Sequence, residues 1–428
     1  ALGGEKAGRA VRLARQGLGL TAALMVVVIA IGAVGSGGLL RLIDPRAQVA
    51  ANQGWWLIFL AVAGVGLALL ANYTTAVGVA LRQARPHTVI VVLSAGIGIG
   101  ATLALLGAGW GVLALPAAGV ARHAVQAGLS FRLVQIELVR LSAVRSNADT
   151  VKIDSVDWRA LGWLAVEKLT GTLAVSADLF LLGRVFDGGV VTAYALTKRP
   201  VDLAGSLFHR QAIAFSPTVS FRAGGENSTR LGKAVAAMSR RILWLLGGAV
   251  LGTFLLLQPI VDFWVGPAHY LGGVAAPILA VTLAANVLSG VSSHLYWASG
   301  ATTSFCRINS ALSTLSVAGA LGGLYGFGVM GLLIGALLPR LLFAAWLFPK
   351  LAAQALGLVG AVPREIGREA ARVALAVTAG AFVASLLPTA EGMTAWGRGA
   401  AGLSGYAVIL IFGSGALRRE MRALATLC

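Results

Sequence analysis

The sequence predicts an all-α, polytopic membrane protein with about twelve transmembrane helices. Its 428 residues are 57% hydrophobic and only 12% charged, and the mean hydropathy is +0.84. Soluble globular domains carry about a quarter charged residues, so this composition excludes that class. The apolar stretches are continuous and do not alternate with polar residues, which excludes a transmembrane β-barrel.

Each predicted span is close to the roughly 20 apolar residues that cross about 30 Å of hydrocarbon. In chain order the predicted spans lie at 16–40, 54–80, 87–107, 109–131, 158–182, 189–220, 242–264, 272–298, 304–326, 328–349, 373–389 and 399–417. The 56 glycines suit helices that approach one another closely through small-residue faces.

The positions of the 34 lysine and arginine residues predict the orientation. When both termini are placed in the cytoplasm, the external loops contain only Arg41, Arg46, Arg184 and Arg398. Nearly all other loop cations then face the cytoplasm, as the positive-inside rule requires. This bias accounts for the net charge of +18, so no nucleic-acid partner is expected. We expect a multi-pass membrane protein with both termini in the cytoplasm.

A weak internal repeat predicts two pseudo-symmetric bundles. The basic amphipathic stretch 6–15 and the span after it resemble 230–241 and its following span. The glycine-rich turns 106–112 and 325–331 correspond in the same way. Two spans precede the second amphipathic stretch but none precedes the first. We therefore expect a parent architecture of about fourteen helices, of which the first two are missing from this chain.

This repeat divides the chain into five predicted parts. They are a cytoplasmic amphipathic helix at 1–15, a four-helix N-lobe at 16–131, a cytoplasmic linker at 132–157, a six-helix C-lobe at 158–350 that includes an amphipathic segment at 224–241, and a C-terminal helix pair at 351–428.

Basic side chains inside the predicted spans indicate the function. They are Arg122, Lys168, Lys198, Arg199, Arg210 and Arg340. A cation in hydrocarbon costs about 2.5 to 3.5 kcal/mol even on the most lenient scale, so such residues usually face a water-filled cavity. A cationic cavity predicts an anionic cargo. Of the six, Arg199 and Arg210 are the preferred cargo ligands, because guanidinium binds phosphate through two hydrogen bonds.

The span 189–220 concentrates these charges on one face. At 100° per residue, about a third of the circumference carries Lys198, Arg199, Asp202, His209 and Arg210. Asp202 has the spacing to pair with Lys198 or Arg199, and His209 could titrate near neutral pH. The preceding span places Glu167 and Asp178 on one face, with Lys168 beside them.

These carboxylates leave an alternative open, in which the intramembrane charges only hold helices together. Glu167, Asp178 and Asp202 could neutralise three of the six cations, but a positive surplus would remain. The same acidic residues and His209 are candidates for coupling transport to H⁺ or Na⁺. No other cofactor and no metal site are expected, and we expect His294 to lie near the membrane surface.

No catalytic motif is recognisable. A glycine-rich phosphate loop with its lysine, a His-Glu-x-x-His pair and a nucleophile elbow are all absent from the sequence. The predicted external loops are short, and Cys306 and Cys428 lack metal-ligand spacing. The sequence therefore predicts a transporter and not an enzyme, with no catalytic residues.

One stretch resembles a known family. It reads Ser-Ala-Asp-Leu-Phe-Leu-Leu-Gly-Arg at 176–184, then Val-Thr-Ala-Tyr-Ala-Leu-Thr-Lys-Arg at 191–199 and Phe-Ser-Pro at 215–217. This pattern resembles the Wzx-type polysaccharide flippases of the multidrug/oligosaccharidyl-lipid/polysaccharide superfamily, and more distantly the MurJ-type lipid II flippases. The resemblance implies two six-helix lobes and a final helix pair.

It also implies a cargo. This would be an undecaprenyl-(di)phosphate-linked oligosaccharide, moved to the periplasmic leaflet by alternating access of two lobes around a cationic cavity. Expected partners are this lipid, membrane phospholipids and other proteins of polysaccharide assembly. Two alternatives remain: a cation antiporter of the same superfamily, and a membrane enzyme of envelope polysaccharide assembly.

Overall fold

The computed structural model describes residues 4–43, 51–81, 83–143, 158–223, 228–358, 361–387, 395–414 and 417, and all regular structure in these ranges is helical. The chain divides into two compact units, Ala1–Val156 and Asp157–Cys428. The all-α fold class predicted from the sequence is confirmed.

The described part of the first unit contains four α-helices and a short 3₁₀ helix, Gly111–Leu113. The α-helices are α1 (Gly4–Ile43), α2 (Ala51–Ala80), α3 (Ala84–Gly107) and α4 (Ala114–Ala143). Helix α2 packs against α1 and α4, and α3 packs against α4. A buried cluster joins the start of α1 to the end of α4, through Val11, Ala14, Leu18, Val134 and Leu138. The amphipathic stretch 6–15 is therefore continuous with the first span, and its residues Val11 and Ala14 pack in one cluster with Val134 and Leu138 of α4. Residues 132–143 of the predicted linker extend α4. The rest of the predicted linker, 144–157, lies outside the described residues.

The second unit contains the remaining helices. They are α5 (Trp158–Val185), α6 (Gly188–Ala223), α7 (Ser228–Val265), α8 (Ala275–Ala298), α9 (Thr302–Pro339), α10 (Ala345–Ala355), α11 (Ala361–Leu386) and α12 (Ala395–Gly413), with a π-helical turn Arg340–Ala344 before α10. Helix α5 packs on α9, α6 on α8, and the pair α11–α12 on α7. The amphipathic segment predicted at 224–241 is continuous with the span after it in α7, and residues 224–227 lie outside the described ranges.

Helix α9 consists of two arms that reverse direction at Phe327 and Gly328. Gly328 has φ 63° and ψ −144°, a backbone conformation that glycine adopts without the steric penalty of a Cβ. The arms pack backbone to backbone, because Gly319 lies against Gly335 and Gly323 against Gly331. Each arm thus presents two glycines four residues apart, the small-residue pattern of close membrane helices. The arms correspond to the spans predicted at 304–326 and 328–349.

Eight helical stretches among the described residues are long and apolar enough to cross a membrane. They are Ala14–Gly38, Gln53–Val79, Arg85–Gly107, Leu231–Val265, Ala275–Ala298, Thr302–Ala355, Pro363–Leu386 and Ala395–Gly413. The Thr302–Ala355 stretch contains both arms of α9. Helices α4, α5 and α6 are also long enough to span but are not among these stretches, and each contains charged residues. The protein is a multi-pass membrane protein.

A buried carboxylate fixes the C-terminal helix pair to α7. Glu369 on α11 is 2% exposed, and its Oε1 accepts hydrogen bonds from Trp244 Nε1 at 2.8 Å and Ser414 Oγ at 2.5 Å. Its Oε2 accepts a bond from Arg372 Nη1 at 2.9 Å. The Tyr406 hydroxyl of α12 donates to the Trp244 carbonyl at 2.5 Å. Three helices therefore meet at one network with every Glu369 oxygen bonded.

We expect Glu369→Ala to destabilise the protein by about 3 kcal/mol, because it leaves the buried Trp244 and Ser414 donors without an acceptor. The measurement is the fraction of monodisperse protein that survives heating in detergent. Arg368→Ala is the matched control, because Arg368 is an exposed charged residue next to Glu369 on the same helix, where a single surface charge contributes little. Equal losses in the two variants would contradict the role given to Glu369.

Candidate functional site

Helix α6 carries the predicted polar face and divides it into two parts. Lys198 and His209 are half-buried, whereas Arg199, Asp202 and Arg210 are exposed. The division follows the helical angles: Lys198 and His209 lie within about 20° of each other, and the two arginines lie about 100° further round. The half-buried residues face α5 and α8, and the exposed residues are accessible to a ligand.

Lys198 has a buried counter-ion on the neighbouring helix. Its Nζ forms an ion pair with Asp178 Oδ2 of α5, and the Tyr194 hydroxyl donates to the same oxygen at 2.7 Å. Asp178 is 7% exposed. From the sequence, Asp202 had the spacing to pair with Lys198 or Arg199, and in the structure Asp202 interacts electrostatically with both, while the close ion pair of Lys198 is with Asp178. Only packing of α5 on α6 reveals the pair, which makes Lys198 a charge-balancing residue in this arrangement.

Arg340 lies deep in the second unit, at the first residue of the π-helical turn. Its Nη1 donates to Asn286 Oδ1 of α8 at 2.5 Å. It also interacts electrostatically with Asp178 and Asp202. Arg340 therefore has protein partners for its charge, although it was selected as a cargo ligand.

Asp202 lies among several cations. It interacts electrostatically with Lys198, Arg199 and Arg340, and with the second carboxylate, Asp178. Two carboxylates thus face three cations in this cluster, which leaves one positive charge in excess. The positive surplus expected from the sequence persists locally.

Arg199 and Arg210 are the exposed cations of α6. Neither arginine forms a hydrogen bond or a close ion pair with a described residue. Arg199 does interact electrostatically with Asp202. They are eleven residues apart, so they share one face and are separated by about 16 Å along the helix axis. Two guanidinium groups with free donors on one face can bind phosphate oxygens along a path.

Glu167 and Lys168 lie next to each other on α5 in different surroundings. Glu167 is 6% exposed and its Oε1 accepts a hydrogen bond from Asn309 Nδ2 of α9 at 2.8 Å. Its Oε2 lies 3.1 Å from Lys168 Nζ, and the Lys168 side chain is 73% exposed. The carboxylate thus points into the second unit while most of the lysine points out of it.

Arg122 belongs to the first unit, whereas the other predicted cations belong to the second. Its aliphatic carbons lie along Gly98 of α3, where an added Cβ would come within 3.2 Å of them. The Arg122 Nε is buried without a hydrogen-bond partner among the described residues. The repeat matches Arg122 with Arg340, but the two differ in environment because only Arg340 has an asparagine beside it.

Helix α8 contributes residues that were not among the predicted site. Asn286, Gly290 and His294 recur every four residues and hence form one stripe on the helix. Asn286 binds Arg340, and the ring of His209 packs on Gly290, where a Cβ would lie 1.9 Å from His209 Cε1. His294 faces His209, with ring centroids 6.0 Å apart at 73°. The spacing of this stripe was visible in the sequence, but its facing partners were not.

Within the described ranges, no cluster of His, Cys, Asp or Glu has the arrangement to hold a metal ion.

The fold is similar to that of a solved membrane protein, the lipid II flippase MurJ in an inward closed conformation. The TM-score is 0.57, the alignment covers 98% of this chain and 86% of that chain, and the identity is 11%. No family model and no curated protein matches the sequence. At this identity the similarity shows the fold alone. The chain is a polytopic helical membrane protein with a MurJ-like fold.

Proposed function

We propose that this protein is a flippase for an anionic lipid-linked oligosaccharide in the bacterial inner membrane. The observation that carries the proposal is the pair of exposed guanidinium groups, Arg199 and Arg210, on one face of a helix in a membrane protein. Unpaired cations at such a position are costly and are retained where they serve a ligand or ion path.

The chemistry of the cargo follows from these groups. A diphosphate that leaves water loses strong hydration, and charged donors must replace it. Arg199 and Arg210 supply planar pairs of N–H donors that match phosphate oxygens. The undecaprenyl chain of such a cargo can stay in the lipid, so the protein needs to solvate only the head group. The solved protein with a similar fold is a flippase of lipid II, which supports this class of cargo.

A cation antiporter is the weaker alternative. Such a protein needs carboxylates that are free to bind an organic cation. Here Asp178 is engaged by Lys198 and Tyr194, and Glu167 by Asn309 and Lys168. An envelope-polysaccharide enzyme would need acid–base groups on a sizeable external loop, and the predicted external loops are short.

The test is flipping of an NBD-labelled undecaprenyl-diphosphate disaccharide in proteoliposomes, followed by dithionite quenching. We expect Arg199→Ala and Arg210→Ala each to slow flipping by about tenfold to a hundredfold, since a charged hydrogen bond contributes about 1.5 to 3 kcal/mol. Lysine at either position should retain part of the rate, because the charge remains but the bidentate geometry is lost.

Arg159→Ala is the matched control. Arg159 is an exposed arginine at the start of α5 and is not one of the two arginines on the α6 face, so its removal should change flipping less than twofold. Wild-type rates in both Arg199→Ala and Arg210→Ala would refute the assigned cargo site.

A further inference from the structure

A row of ionisable side chains crosses the interior of the second unit beside the cargo face. Glu167 of α5 interacts with His294 of α8, His294 lies against His209 of α6, and His209 interacts with Arg340. In order, the row consists of a buried carboxylate, two imidazoles and a fixed cation. None of these groups has a role in the proposed cargo site.

The two imidazoles are arranged to interact with each other. Their ring centroids are 6.0 Å apart, and both rings are partly buried. The His209 ring fits there because Gly290 has no side chain. Its Nδ1 is buried and makes no hydrogen bond to any described residue. A buried nitrogen without a partner is unfavourable and requires an explanation. Packing alone would be served better by an apolar side chain.

The charges around the pair differ at its two ends. His294 interacts electrostatically with Lys168 and, less strongly, with Glu167 of α5. His209 interacts with Arg340, which is hydrogen-bonded to Asn286. Charges of both signs therefore act on a proton at the His294 end, and a guanidinium opposes a proton at the His209 end. Two charged imidazoles at once would repel each other as well.

We propose that His209 and His294 form a proton-binding site that couples proton uptake to the transport cycle. This inference rests on the proposed flippase function and specifies its coupling ion. A proton from the aqueous phase forms a bond to one imidazole nitrogen lone pair and leaves when that N–H bond breaks. No other bond changes, and one proton is bound per pair because the second is opposed.

Arg340 is a fixed cation next to the pair. It interacts electrostatically with His209 and also with Asp202 and Asp178. A fixed cation beside proton-binding groups opposes a continuous proton path through them. Protons can therefore cross only when the surrounding helices rearrange, and this condition distinguishes a coupled carrier from a leak.

The first experiment measures proton binding without any cargo. The chain has five histidines, so ¹⁵N-histidine solid-state NMR in lipid bilayers can resolve them, with assignment from single His→Gln variants. We expect proton uptake by His209 and His294 to be coupled, so that removal of either ring changes the titration of the other. Glu167→Gln keeps both rings and should shift the titration of His294. Two rings that bind no proton while the protein stays folded, or that titrate independently, would overturn the proposal.

The second experiment measures coupling. In proteoliposomes that contain the NBD-labelled undecaprenyl-diphosphate disaccharide, a gradient of one pH unit should change the wild-type flipping rate by up to about tenfold for one coupled proton. His209→Gln and His294→Gln should lose this response. His269→Gln should keep it, because His269 lies in a short turn between α7 and α8, where its Nδ1 is 2.9 Å from the Val265 carbonyl oxygen.

The two experiments separate the possible failures. If wild type does not flip the probe, the proposed cargo is wrong, and the NMR titration still decides whether the pair binds protons. If wild type flips the probe but ignores the pH gradient, with or without a Na⁺ gradient present, the coupling role of the pair is refuted while the flippase function stands.

Discussion

Replacing Lys198 with methionine should destabilise the protein by about 3 to 5 kcal/mol. The substitution removes the counter-ion of Asp178, a carboxylate only 7% exposed. The Tyr194 hydroxyl would still donate to Asp178, but one neutral donor does not compensate a buried charge. The measurement is again survival of the monodisperse protein after heating in detergent.

The double variant Asp178→Asn/Lys198→Met distinguishes the pair from either residue alone. It removes both charges together and keeps an oxygen that can accept the Tyr194 hydrogen bond, so most of the lost stability should return. Losses that simply add in the double variant would show that the two side chains do not depend on each other.

Transport by the same double variant tests the role of Lys198. If Lys198 only balances Asp178, the stable double variant should flip the lipid-diphosphate probe at close to the wild-type rate. If the double variant is stable but no longer transports the probe, Lys198 is a cargo ligand, as its position on the helix had suggested.

The sequence predicts the helices well, because the apolar length needed to cross a bilayer is a strong constraint. Where boundaries differ, polar residues extend a helix beyond the apolar span. Helix α11 begins at Ala361, twelve residues before the predicted span at 373, and its first turns carry Arg364, Glu365 and Arg368. Helix α1 likewise joins a basic amphipathic stretch to a span without a break. Hydropathy detects the apolar part of such a helix and not its polar extension.

The site is predicted less completely, for a different physical reason. Helical periodicity places residues on a face of their own helix, and it correctly separates the exposed Arg199 and Arg210 from the half-buried Lys198 and His209. It contains no information on which helix packs opposite. Asn286 and His294 become meaningful only because α8 lies against α6 and the π-helical turn.

The repeat predicted from the sequence is most visible at its turns. Gly109, with φ 81°, lies between α3 and α4, and Gly328, with φ 63°, lies between the arms of α9. Glycine tolerates this backbone region and therefore recurs at both reversals.

The hairpin of α9 provides a second large expected effect of a single substitution. A Cβ at Gly323 would lie 1.9 Å from the Gly331 carbonyl oxygen, and backbone cannot move aside as a flexible side chain can. Gly323→Leu should therefore separate the two arms and destabilise the protein by about 3 kcal/mol or more.

The adjacent Gly322 is a matched control, because nothing lies within 4 Å of the position of its Cβ. Gly322→Leu adds the same side chain one residue away and should leave thermal survival in detergent nearly unchanged. Similar survival of the two variants would show that the arms do not pack through their glycines, and that the reversal at Gly328 does not bring them together.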